Sequence, residues 1–155
     1  MRSLIAAAVL LTALPGAARA QPARKLQLAL DAQSEGRPAR EGAGAQLYDE
    51  VRRSLEAIGD VELVPAERAR RTIWIVTGAG TGPYVASLMI TERYDRETLM
   101  VLGIEDDDMA ARMMAFQIVN DHQIFTAATV PDLARRIVAS VNSGVLARLR
   151  AVPKP

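Results

Sequence analysis

The chain has 155 residues, no cysteine and a formal charge of +1. Without cysteine there are no disulfides, thiolate metal sites, thiol catalysis or lipidated amino-terminal cysteine. The near-neutral balance offers no footprint for nucleic acid or an anionic membrane, while a 50% hydrophobic content permits a core without crosslinks.

Residues 1–20, MRSLIAAAVLLTALPGAARA, read as a secretory signal peptide. Arg2 supplies the positive start and Leu4 to Leu14 the apolar run. Pro15-Gly16 breaks that run, and Ala18-Arg19-Ala20 forms the cleavage site. The run is too short to cross a bilayer as a helix, so no stable membrane insertion is expected after cleavage. The mature chain is expected to begin near Gln21. Losing Arg2 and Arg19 takes the 19 basic residues to 17 against 18 acidic ones, a balance of −1. The expected location is periplasmic, with secretion as the alternative. Residues 21–150 make one domain, and 151–155 form a disordered tail.

Lys25 to Ala32 alternates strictly, with Leu26, Leu28 and Leu30 on one side, as a half-buried strand does. Gln33 to Gly44 reads as a loop. Ala45 to Ile58 is helical, with Leu47, Tyr48, Val51, Leu55 and Ile58 on one stripe and Gly59-Asp60 closing it. Val61 to Val64 is a short strand, and AERARR after Pro65 is a charged turn or short helix. Thr72 to Thr77 is apolar on both faces and suits a central strand. A flexible glycine segment, Gly78 to Gly82, precedes a strand from Tyr84 to Tyr94. The expected hairpin partner of that strand is Leu99 to Ile104.

From Glu105 to Phe125 the pattern favours a helix capped by Asp106-Asp107-Asp108, with Met109, Met113 and Phe116 on one face. A strand through Met114 to Val119 is the alternative. The last helix is capped by Thr129 and carries Pro131 in its first turn. Leu133, Ile137, Val141, Val145 and Leu149 recur along it every four residues, and Asn142-Ser143-Gly144 is placed to kink or split it. The expected fold is α/β (α+β): a single mixed sheet of about five strands with two to three helices on one face, in the order β-α-β-β-β-α-α.

No constellation points to catalysis. Val76 to Gly82 resembles a dinucleotide-binding glycine turn, but at least two strands precede it and a strand, not a helix, follows. Glu105 to Asp108 lacks the spacing of a calcium loop. His122 is the only histidine, too few for a metal site, and no nucleophile elbow accompanies it. Trp74 and the methionines are expected in the core. Arg68, Arg70, Arg71 and Arg135-Arg136 are expected on solvated faces. No cofactor, metal or catalytic residue is assigned. The residues singled out for protein contact are Asp121, His122, Ile124 and Phe125, together with the exposed sheet edge formed by the first or last strand.

The succession of KLQLALDA, an amphipathic helix, TIWIVTG, YVASLMITE, TLMVLGI and LARRIVASV resembles the small periplasmic α/β domain at the amino terminus of TolB. It is more loosely similar to CsgG-like envelope proteins. The resemblance covers most of residues 25–150 and implies a non-enzymatic binding or assembly module of the bacterial cell envelope. It carries over no catalytic residues. Residues 105–126, including NDHQIFT, match nothing in that pattern, and neither a β-propeller nor a lipidated cysteine accompanies it. The alternative function is small-molecule binding or weak hydrolysis by Asp121 and His122. A homodimer burying the methionine-rich helix is a third possibility. The partner is then an unknown envelope protein or a second copy.

Overall fold

The computed structural model describes residues 25–34, 37–78 and 83–151. The expected leader, most of the glycine segment and the residues after Ala151 lie outside these.

Alternating leucines build β1 (Leu26–Ser34), which pairs antiparallel with the short β2 (Arg37–Pro38). Helix α1 (Gly42–Glu56) leads to β3 (Val61–Leu63), β4 (Arg71–Thr77) and β5 (Tyr84–Glu92). Two short helices follow, α2 (Arg96–Val101) and α3 (Asp107–Ala115). Strand β6 (Ile118–Ala127) leads to α4 (Val130–Ser140), a π-helical segment (Val141–Leu146) and α5 (Ala147–Ala151). The result is one mixed α+β sheet in the order β2-β1-β4-β5-β6, with β3 also on β1. Strand β1 is parallel to β3 and β4, whereas β4–β5 and β5–β6 are antiparallel.

Period-two burial gives the sheet a helix-covered face. Leu28, Ile73, Ile75, Ala86, Leu88 and Ile90 pack there with Leu47, Val51 and Leu55 of α1 and Leu133 and Ile137 of α4. Burying such side chains stabilises by about 1.5–3 kcal/mol each relative to exposure. Ala29, Thr72, Thr91, Leu99 and Ala110 are buried outside this cluster.

Several elements depart from the sequence reading. Leu99 to Ile104 is not a strand. Asp95 accepts the Thr98 N–H and starts α2, and Gly103 at φ +80° ends it. Gly103 N–H then bonds the Met100 carbonyl at 3.0 Å and Ile104 N–H the Leu99 carbonyl at 2.9 Å, the paired bonds of a Schellman stop. The antiparallel partner of β5 on that side is β6, reached only after α2 and α3. Hence Glu105 to Phe125 is not one helix. α3 begins as expected, with Asp106 accepting the Met109 N–H, but Phe116 is already extended. The β-branched and aromatic residues beyond it form β6.

Gln33 to Gly44 is not all loop, because β1 reaches Ser34 and α1 starts at Gly42. The cap of α1 is Ala57, ahead of Gly59. The methionines do not fill the core: Met100 is 60% and Met109 54% exposed, and Phe116 68%. Trp74 is half-buried on the face away from α1 and α4, donating Nε1–H to Thr91 Oγ1 at 3.0 Å. Strand β1 is no free edge, since β4 flanks one side and β3 and β2 the other.

Candidate functional site

The outer side of β6 is unpaired along the strand among the described residues. Its sequence, IVNDHQIFTA, contains neither lysine nor proline, the residues that commonly blunt such an edge. A bulge interrupts the pairing: Ile90 faces Asp121 and Thr91 faces Val119, leaving Asn120 without a partner on β5.

Alternation along β6 divides the four contact candidates into two pairs. Asp121 and Phe125 turn towards the helices. Phe125 packs against the core, and Asp121 Oδ2 accepts from Gln123 Nε2 at 3.0 Å and lies 3.9 Å from Arg148. Gln123 Oε1 in turn accepts from Ser140 Oγ on α4 at 2.7 Å, which ties β6 to the helix layer. His122 and Ile124 turn the other way and are exposed, Ile124 to 68%. Asp121 is therefore not placed to orient His122.

His122 Nε2 instead sits 2.7 Å from Ser87 Oγ on β5. Among the described residues no carboxylate bonds the other imidazole nitrogen, so the pair lacks the orienting acid that a serine nucleophile mechanism uses. On the same face lie Val85, which is 43% exposed, and the half-buried Met89.

Comparison with known proteins adds little here. No family model matches the sequence, and no curated protein matches it. Among solved structures, the chain is similar to the hypothetical protein CT253 from Chlamydia trachomatis. Identity is 12% over 79% of this chain and 99% of that one, with a TM-score of 0.47. It is also similar to a PelC dodecamer from Paraburkholderia phytofirmans, at 15% identity over 84% of this chain and 92% of that one, with a TM-score of 0.37. At these scores neither likeness bears on function.

The sequence reading missed two features of the site. The first is apolar. Of the ten large hydrophobic side chains exposed among the described residues, seven fall between residues 100 and 119: Met100, Val101, Leu102, Met109, Phe116, Ile118 and Val119. They lead into the open strand. The sequence signal for it is the methionine-rich helix with Met109 and Phe116 on one face, which the sequence reading offers as a dimer surface but not as part of a strand edge.

The second feature is charged. At the Ile118 end of β6, Glu92 Oε1 accepts from Arg70 Nε at 2.7 Å and from an Arg71 terminal nitrogen at 2.6 Å. Its Oε2 accepts from Asn120 Nδ2 at 2.8 Å. Arg70 also reaches Asp95 at 2.6 Å. Hydrogen bonds from Thr98, through its hydroxyl and then its backbone N–H, hold the Asp95 carboxyl below its ordinary range, and Arg70 adds to this. Arg70 lies exposed, as the sequence reading places it, whereas Arg71 is half-buried; both are held in this network. Arg135 does lie exposed, paired with Asp132 of its own helix.

Proposed function

We propose that this protein is an exported, non-enzymatic binding or assembly module of the bacterial cell envelope that acts through protein contacts along β6. The open outer edge of that strand, continuous with exposed apolar residues, carries the reading. An unpaired edge presents backbone donors and acceptors that a partner strand satisfies, and its exposed side chains add selectivity. Signal-like residues 1–20 support export, and the resemblance to the TolB amino-terminal domain supports the same class of role. Isolated exposed hydrophobics are ordinary on a monomer, whereas Phe116, Ile118, Val119 and Ile124 are exposed at or along one open strand, as in a contact surface.

The test is site-specific photo-crosslinking in cells, with the probe at His122 or Ile124 and a control probe at exposed Arg136 on α4. Adducts with one envelope protein from the β6 positions, absent from the control, are expected. Identical adducts at all three positions, or none at the first two, would remove β6 as the contact surface.

A further inference from the structure

Charge is distributed unevenly along the open edge, and this asymmetry sets a direction. At the Ile118 end, Arg70, Glu92, Arg93, Tyr94, Ile118 and Asn120 line a cleft of about 240 Å³. Within it the carboxylate of Glu92 is taken up by two guanidinium groups and one amide. Arg93 is half-buried and makes no side-chain hydrogen bond or ion pair with any described residue. Its Nε is sealed from solvent without an acceptor. The terminal guanidinium nitrogens are not sealed and have no acceptor among the described residues, so a carboxylate from outside the chain can reach them and supply the missing charge.

Geometry adds the orientation. β5 runs antiparallel to β6 and ends beside Ile118, since Glu92 pairs with Ile118. A segment added antiparallel to the outer edge of β6 runs the same way as β5. Its carboxyl end then arrives at the Ile118 end, beside the Arg93 cleft. A parallel segment would bring its amino end there instead, cation against cation.

We propose that the partner binds β6 as an extended antiparallel segment whose terminal carboxylate is held in the Arg93 cleft. This inference rests on the β6 contact reading and specifies the chemistry of its partner. Arg93 would supply the anion contact, with Asn120 and Tyr94 as flanking polar groups. Exposed Ile124 and Val85 would receive the alternate side chains further along the segment.

The experiment uses the purified protein and two pools of random, N-acetylated octapeptides, one with free carboxyl termini and one with carboxamides. Retained peptides are quantified by mass spectrometry, and amide exchange reports protection of β6. Free-carboxyl peptides are expected to be enriched at least tenfold over amides. Arg93→Met is expected to abolish that preference, Arg93→Lys to restore part of it, and Ile124→Lys to abolish retention of both pools. The wild-type preference is read without any variant, so a variant that fails to fold does not block the test.

Equal retention of both pools overturns the carboxylate assignment and leaves the edge reading standing, provided Ile124→Lys abolishes binding and β6 amides are protected. If inorganic phosphate alone shifts the Arg93 Nε–Hε resonance while the pools are retained alike, the cleft serves a free anion and the proposal falls. Absence of retention, or retention insensitive to Ile124→Lys, overturns both readings together.

Discussion

Asn120 donates Nδ2–H to Glu92 Oε2 at 2.8 Å from the one residue of β6 that has no partner across the β5 ladder. The bulged residue thereby fastens the start of the edge strand to the carboxylate that also holds Arg70 and Arg71. A bulge bends and twists the strand that carries it. Here it lies where Ile118 and Val119 diverge from the regular part of the ladder. Asn120→Ala removes a donor to a charged acceptor and is expected to cost about 1.5–3 kcal/mol at most, less because the bond is exposed. The thermal midpoint should fall modestly, and faster amide exchange should be confined to residues 118–121.

Ile73 and Ile124 test the difference between the covered and uncovered faces. Ile73 is fully buried in the core, so Ile73→Ala is expected to destabilise by about 2–5 kcal/mol. Ile124 is 68% exposed, so Ile124→Ala is expected to change stability by less than about 0.5 kcal/mol while weakening partner contact. Urea unfolding of both variants checks this. Comparable losses would mean that β6 is covered in solution.

Gly44 and Gly59 are expected to respond in opposite senses to alanine. A Cβ at Gly44 would lie 3.0 Å from Thr77 Oγ1 and 3.1 Å from the Ala39 methyl, which has no rotamer to yield. The gain in helix propensity, about 1 kcal/mol, is set against overpacking of about 1–3 kcal/mol, and net destabilisation follows. A Cβ at Gly59 meets nothing within 4 Å, and no positive φ is needed there. Gly59→Ala should stabilise by about 0.4–1 kcal/mol. Thermal midpoints moving in opposite directions are the expected result.

Asp95 caps α2, and its lowered pKa ties that cap to pH. Because the folded value lies below the unfolded one, its contribution is present above the ordinary carboxylate pKa of about 4. It is lost as pH falls through the lowered value. Asp95→Ala should cost about 1 kcal/mol near neutral pH, and the difference from the wild type should shrink as pH falls below the ordinary carboxylate range of about 4. A difference independent of pH would rule out the charged cap.

The π-helical segment predicts tolerance of a deletion. A π turn takes up one extra residue while the flanking helix keeps its phase. Removing exposed Ser143 should restore a continuous α-helix, with Leu146 and Leu149 still on the buried side. Stability is expected to change by less than about 1 kcal/mol. Deleting both Asn142 and Ser143 should swing α5 away from the Arg150–Asp60 ion pair and lower the melting temperature.

What was legible in the chain was whatever depends on local periodicity. The leucines of β1, the two-faced apolar run of β4, the alternation of β5 and the stripe of α1 each name one face of one element. The cap of α4 is equally local, since the Thr129 hydroxyl accepts the Asp132 N–H three residues on. Even the π segment has a sequence signature. Apolar residues repeating every four positions drift around a helix of 3.6 residues per turn, and a wider turn corrects the drift.

Short elements without a full period were not legible. TLMVLGI carries enough β-branched and apolar residues to pass as a strand, yet Asp95 and Gly103 bracket it as a single capped turn-and-a-half. MAFQIVNDHQIFT holds no more than weak alternation, and whether it is helix or strand depends on β5 being there to pair with it.

By itself, then, the sequence determined the fold class and a core built without cysteine, because both follow from composition and period. Only the tertiary structure decided which strand stands at the edge. It also set Asp121 and His122 on opposite faces, gathered Arg70, Arg71 and Asn120 around Glu92, and left Arg93 without an acid. The Glu92 contacts join residues 21 to 28 positions apart, and pairing across strands, not spacing along the chain, brings such residues together.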